Sequence, residues 1–292
     1  MCGEAKPRAA GKPGGGIHLF RYLGDGRMKF LLLIAVLLVP EAAWAEAWTP
    51  PADPDPQKIM REAEADARAK RYEEALAKHV WFHEHALEYR PSLSGVRLSF
   101  ALSDWLELGE SYPPALVKLR EIRDELKERV TPQEDRKIAF DDFHDFASIN
   151  KYLGDEKLTV AAFRAIDAAD ADEAPRLFGL AEPALIRAKD YTLCGKYIDA
   201  DESLEQILRS FKQADKLAAN PKIGEMYLKY ANKKFLNDSA TLVALLVVND
   251  RKSEAEEVMH ELKKVEGDSK FHAKLTAELE KAIQGVVPKP WP

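Results

Sequence analysis

Between Gln57 and Gln284 apolar residues recur every three or four positions, and the stretches that carry them are separated by short breaks of Gly, Pro, Asn, Asp or charged residues. That spacing gathers apolar side chains on one face of a helix, whereas a half-buried strand would alternate strictly. The pattern predicts helices over 57–69, 72–89, 94–108, 114–130, 132–153 and 157–169, then over 174–188, 191–198, 201–219, 221–236, 239–248, 253–265 and 269–284. The breaks at Lys70-Arg71, Gly109 to Pro113, Gly154-Asp155, Lys189-Asp190 and Asn249 to Lys252 have the length that joins antiparallel helix pairs. Pro114 suits a first helical turn, where its missing N–H has no partner to lose, and Ser253 with Glu256 reads as a capping box. The expected fold is all-α, a run of antiparallel helical hairpins over 57–285 with a tail at 286–292.

The helix predicted at 72–89 is the densest element. Tyr72, Ala75, Leu76, His79, Val80, His83, Ala86 and Leu87 form one stripe, and Trp81, Phe82, His85 and Tyr89 widen it beyond a single face. A helix sandwiched between neighbours has this character. Trp81 lies off the main stripe and is expected to pack on the next hairpin; the competing reading makes Trp81, His83 and His85 an aromatic, histidine-lined surface for a partner.

The Tyr-x-x-Ala-Leu opening of that helix returns at Tyr112, Ala115 and Leu116. Tyr72/Ala75, Tyr112/Ala115 and the imperfect pair Tyr191/Cys194 resemble the inter-helix Tyr and second-helix Ala of tetratricopeptide repeats. Tyr72 and Tyr112 are 40 residues apart, against a family period of about 34, so the helices are longer here. Trp105, Leu108, Gly109 and Tyr112 also match the family's Trp-x-x-Leu-Gly-x-x-Tyr string, but Pro113-Pro114 follow at once and end the helix, so Tyr112 is read as the turn residue. The resemblance implies an α-α superhelix whose concave surface binds peptides or protein surfaces, each hairpin completing its burial against its neighbours.

The N-terminal region reads differently. Arg27 and Lys29 precede the apolar run Phe30 to Val39, and Ala43-Trp44-Ala45 offers a small-residue cleavage site, as in a secretory signal peptide. The run stops at Pro40-Glu41, short of the roughly 20 apolar residues a membrane span needs; an uncleaved signal anchor is the alternative. The Gly- and Pro-rich residues ahead of Met28 make Met28 the expected start. Cleavage after Ala45 leaves a proline-rich lead-in at 46–56, no stable membrane insertion, and a periplasmic or secreted protein. The full chain of 292 residues carries a formal charge of −6, and residues 1–45 hold six Lys/Arg against three Asp/Glu, so the remainder is more acidic still. An acidic chain has no electrostatic footprint for nucleic acid.

Three groups of residues could carry chemistry. His79 and His83 lie four apart on one helix face, compatible with paired metal ligands, but Leu87 stands where a His-Glu-x-x-His helix needs its second His, and no third ligand is apparent. Asp141, His144 and Asp145 share a face beside Phe140 and Phe143, both read as core anchors; a solvated acidic face is the plainer reading. Cys194 has no Cys-x-x-Cys partner and no disulfide mate once Cys2 is removed. No phosphate loop or haem motif is found, so no cofactor, metal or catalytic residue is assigned. The expected function is an exported non-catalytic module that binds or scaffolds an envelope protein or peptide; the alternative is a metal-dependent or hydrolytic enzyme using the helix-borne His and Asp residues.

Intact-mass measurement of the exported protein tests the N-terminal reading. A chain beginning at Glu46 is expected; a chain retaining Phe30 to Val39 contradicts it.

Overall fold

The computed structural model describes residues 48–134, 136–218 and 224–291. The signal segment 1–45, its start at Met28, Cys2 and the helix start at Pro221 lie outside the described residues. Among the described residues thirteen α-helices follow in order: α1 (Pro56–Arg68), α2 (Tyr72–Tyr89), α3 (Ser94–Arg97), α4 (Phe100–Ser111), α5 (Pro113–Val130), α6 (Phe140–Leu153), α7 (Glu156–Ala169), α8 (Ala174–Arg187), α9 (Tyr191–Tyr197), α10 (Ala200–Ala218), α11 (Gly224–Val248), α12 (Lys252–Leu262) and α13 (Ser269–Ala282), with a 3₁₀ turn at Pro91–Leu93. Among the described residues there is no strand, only an isolated bridge between Gln133 and Arg136.

One turn recurs four times. Lys70, Gly154, Lys189 and Asp250 adopt left-handed φ values of 61°, 71°, 58° and 60°. At each, the next residue donates its N–H back to the carbonyl five positions earlier: Arg71 to Asp66, Asp155 to Asn150, Asp190 to Leu185 and Arg251 to Leu246, at 2.8–2.9 Å. This bond satisfies carbonyls that a helix end otherwise leaves bare, and it stops the helix within two residues. The following helix begins at once, and its fourth residue is small and buried: Ala75, Thr159, Cys194 and Ala255 are all 1% exposed or less. The α4–α5 hairpin turns instead at Tyr112, with Pro113 opening α5 and Ala115 fully buried. There the close approach falls to Gly109, whose absent Cβ would lie 2.4 Å from the Leu116 side chain. Tyr72 and Tyr112 stack on each other, with centroids 5.7 Å apart.

Packing runs between sequence neighbours. The first helices of successive hairpins touch in a row, α1 on α4, α4 on α6 and α6 on α8, while the second helices α2, α5 and α7 each lean on the first helix of the next hairpin. Beyond α9, the long α11 packs against α9, α10, α12 and α13. A continuous core runs through this stack from Trp105 and Phe143 to Phe271 and Leu279. A smaller cluster around Ile59, Trp81, Phe82 and Leu93 closes the N-terminal end.

Several expected elements differ. The helix expected over 132–153 begins only at Phe140. Thr131 precedes Pro132 and is extended (ψ 126°), and Arg136 donates to the carbonyls of Glu128, Arg129 and Thr131, capping α5 from a non-helical segment. The helix expected over 94–108 is broken at Leu98 and Ser99, so that Arg97 and Leu98 both turn inward. The helices expected at 221–236 and 239–248 are one. Asp238 pairs with Lys234 one turn back, Asn237 donates to the carbonyl of Lys289 and Ser239 is fully buried, so none of the three breaks the helix. The capping box at Ser253 and Glu256 is absent: α12 starts at Lys252, with Arg251 at its N-cap and no side-chain cap bond. Phe143 is fully buried as expected, but Phe140 is 42% exposed at the start of α6.

The left-handed turns give a direct test. An L-residue there costs roughly 1–2 kcal/mol, of which glycine gives back about half in backbone entropy. Lys189→Gly and Asp250→Gly, both exposed, should each raise the unfolding free energy by about 0.5–1 kcal/mol in denaturant titrations; a loss of stability in both contradicts the turn geometry.

Candidate functional site

Two of the groups picked out from sequence meet inside the fold. His79 and His83 project from α2 against Trp105 of α4, His79 stacked at 5.7 Å and His83 edge-on at 6.1 Å. His83 Nε2 lies 3.9 Å from Asp145 Oδ2 on α6. What joins them is Arg97, which donates to both Asp145 oxygens at 2.9 and 2.5 Å and to the His83 carbonyl at 3.1 Å. Arg97 was not among the candidate residues; its placement between Val96 and Leu98 in an apolar stretch was the available signal. Asp145 is thereby committed to a guanidinium, and the cluster clamps α2, α3 and α6. Burial pushes His79 down to about 4, and burial with the Arg97 charge pushes His83 down to about 3, so both rings are neutral at ordinary pH. His144 is also lowered, by burial first, and Asp141 is exposed.

Trp81 is buried, between Trp48, His85 and Tyr89 at 5.7–6.4 Å. His83 is buried as well; of the three residues considered for partner contact only His85 reaches solvent, where its Nδ1 lies 3.0 Å from Glu88. Cys194 is buried and its thiol is pushed up to about 12, by burial first and then by Glu182 and Asp190. Among the described residues no three His, Cys, Asp or Glu side chains converge as metal ligands.

A depression of about 700 Å³ lies between α10, α11 and the start of α13, and three more border a first helix. One of about 300 Å³ between α1, α2 and α4 is lined by Glu64, Asp104, Glu107 and Arg68, the last paired with Glu64 at 3.4 Å, with His79 and Tyr72 among its other walls. The Asp104 carboxyl is raised by burial and by Glu64 and Glu107. A second, about 200 Å³, lies between α6, α7 and α8. A third, about 460 Å³, is enclosed by α8, α10, α11 and the segment at Pro290-Trp291. It holds Glu182, Lys234, Asp238 and Thr241, none of them a candidate from sequence. Glu182 inside the apolar run LFGLAEPALI was its one visible sign; the convergence of α8, α11 and the tail carries no local signature.

No family model matches the sequence, and comparison with curated proteins and with solved structures returns no match.

The buried histidines set a pH dependence. Their folded pKa values lie below the unfolded value near 6.5, so their contribution is fully present above about pH 6.5 and is lost as the unfolded chain takes up protons that the folded chain refuses. Each is worth on the order of 3 kcal/mol by about pH 4. Glu182, pushed up to about 7, acts in the opposite sense, gaining stability as pH falls from about 7 toward 4.5. The difference between wild type and His83→Gln therefore isolates the histidine. Unfolding titrations should show the wild type losing stability more steeply than His83→Gln between pH 6.5 and 4; parallel curves contradict a neutral buried ring.

Proposed function

We propose that the chain is an exported, non-catalytic binding module, a stack of helical hairpins of the tetratricopeptide kind that holds a protein or peptide of the periplasm or cell envelope. The observation that carries this reading is the contact of α1 with α4, α4 with α6 and α6 with α8, which makes one shared face out of the first helices. In hairpin stacks such a face is the surface left for a partner, because the second helices are spent on packing the next unit. Two depressions border it, one between α1, α2 and α4 and one between α6, α7 and α8. In the depression of Glu64, Asp104 and Glu107, Arg68 already pairs with Glu64 at 3.4 Å, so it is Asp104 and Glu107 that suit a Lys or Arg side chain of the partner. The roles of His79, His83 and Cys194 as packing groups accord with binding rather than turnover.

Capture from envelope extracts on the immobilised chain tests the assignment of the face. Asp104→Lys with Glu107→Lys should abolish recovery of the partner that wild type retains, with an unchanged melt. Glu125→Lys, exposed on α5, should leave recovery intact. Loss with Glu125→Lys and retention with the Asp104/Glu107 pair would place the partner elsewhere.

A further inference from the structure

The cavity between α8, α10 and α11 is a built polar site, and it stands independently of the partner-binding face. Its volume of about 460 Å³ lies in the range that takes a small organic molecule. The charges on its wall are unequal: Glu182 and Asp238 face a single cation, Lys234, which is paired with Asp238. Thr241 is 9% exposed, and its Oγ1 has no hydrogen-bond partner. Trp291, whose ring meets Tyr230 edge-on at 5.4 Å, presents a buried Nε1 that is likewise unpartnered. Pro183, inside α8, has no N–H to offer the carbonyl of Gly179, and Gly179 lies on the cavity wall. Buried polar atoms are almost always satisfied in native proteins, so a wall rich in acceptors that also carries an orphan indole donor specifies what would complete it. Ile186, Ile207 and Leu242 supply the apolar wall between.

We infer that this cavity binds a small organic ammonium ion with an apolar body and a hydroxyl group, the ammonium seated among Glu182, Thr241 and the Gly179 carbonyl and the hydroxyl oxygen accepting from Trp291 Nε1. An anion is disfavoured by the two carboxylates. A neutral ligand leaves Glu182 without a counter-charge. The groups facing Glu182 are Asp238 and Lys234 from α11 and Cys194 from α9; α10 contributes only Ser203, Gln206 and Ser210 as polar wall residues. Burial first and Asp238 second push the Glu182 carboxyl up to about 7, against the pull of Lys234. An ammonium stabilises the ionised carboxylate, so binding releases the Glu182 proton and strengthens as pH rises through that value.

The probe is tyramine, which stays cationic at neutral pH, titrated calorimetrically into the full chain beside tyrosol, the same body with a hydroxyl replacing the ammonium. Tyramine should bind, and tyrosol should bind at least roughly tenfold more weakly, as expected for loss of a charge-assisted hydrogen bond. Tyramine affinity should be about tenfold lower at pH 6 than at pH 8, following the ionisation of one carboxyl. Glu182→Gln should lose both the preference for tyramine and the pH dependence. Thr241→Val, which keeps the side-chain shape, should weaken tyramine roughly tenfold with an unchanged melt, and it decides the matter if Glu182→Gln does not fold. No heat with tyramine, equal binding of tyramine and tyrosol, or wild-type affinity in both variants would overturn the proposal.

Discussion

The fold depends on how closely the two helices of each hairpin approach at their shared end. A left-handed residue stops the first helix, one non-helical residue follows, and the second helix enters with a small residue pressed against the first. Ala75, Thr159, Cys194 and Ala255 hold that position after the four left-handed turns, and Ala115 holds it after Tyr112. Helices pack 8–10 Å apart depending on the side chains at the contact, and a larger residue here would lever the pair open where the turn has no slack. Thr159 adds a bond to the same contact, accepting from Asn150 Nδ2 at 3.1 Å. The sequence likeness of Tyr72/Ala75, Tyr112/Ala115 and Tyr191/Cys194 therefore has a common physical origin. Cys194 belongs to this series as a small residue.

Charged groups fix the register of the helices within the first hairpin and of one hairpin on the next. The residue after the left-handed one is charged in each of these turns, and its side chain is used. Arg71 and the buried Lys78 both bond Asp66, Asp155 accepts from Arg123 at 2.9 Å, Asp190 accepts from Arg164 at 2.7 Å, and Arg251 donates to the carbonyl of Ile198 at 2.8 Å. Buried and half-buried pairs of this kind add little net stability over apolar packing, but each is costly to break by removing one partner. They select the stacking arrangement among the many that apolar helix faces would tolerate. The Arg97 to Asp145 pair does the same for the N-terminal end, tying α3 to α6 across 48 residues of chain.

Periodicity made the helices legible, and α2 was read to the residue because its start after Lys70-Arg71 and its stop before Pro91 are both local events. What failed was decided at a distance. Residues 131–134 and 136–139 leave the helix because Arg136 reaches back to α5, and Asn237-Asp238-Ser239 stay helical because Asn237 finds the Lys289 carbonyl, Asp238 pairs with Lys234 and Ser239 is packed into the core. His83 and Asp145, singled out from sequence, proved to be neighbours, but the residue that joins them, Arg97, announced itself only as a cation set between Val96 and Leu98. The Glu182 cavity showed only that one acid inside an apolar run: its walls come from 179–186, 203–210, 230–242 and 290–291, which only the folded chain brings together.

The hairpin contact can be read directly through Cys194, the one cysteine among the described residues. In a chain carrying Cys2→Ser, thiol labelling of the native protein is governed by opening of the α8–α9 hairpin, since the thiol is fully buried and its ionisation is pushed up to about 12. The measurement is the labelling rate against denaturant concentration. Slow labelling in buffer that accelerates in parallel with unfolding is the predicted result. Fast labelling in buffer, unchanged by denaturant, would show the contact to be open and contradict the account.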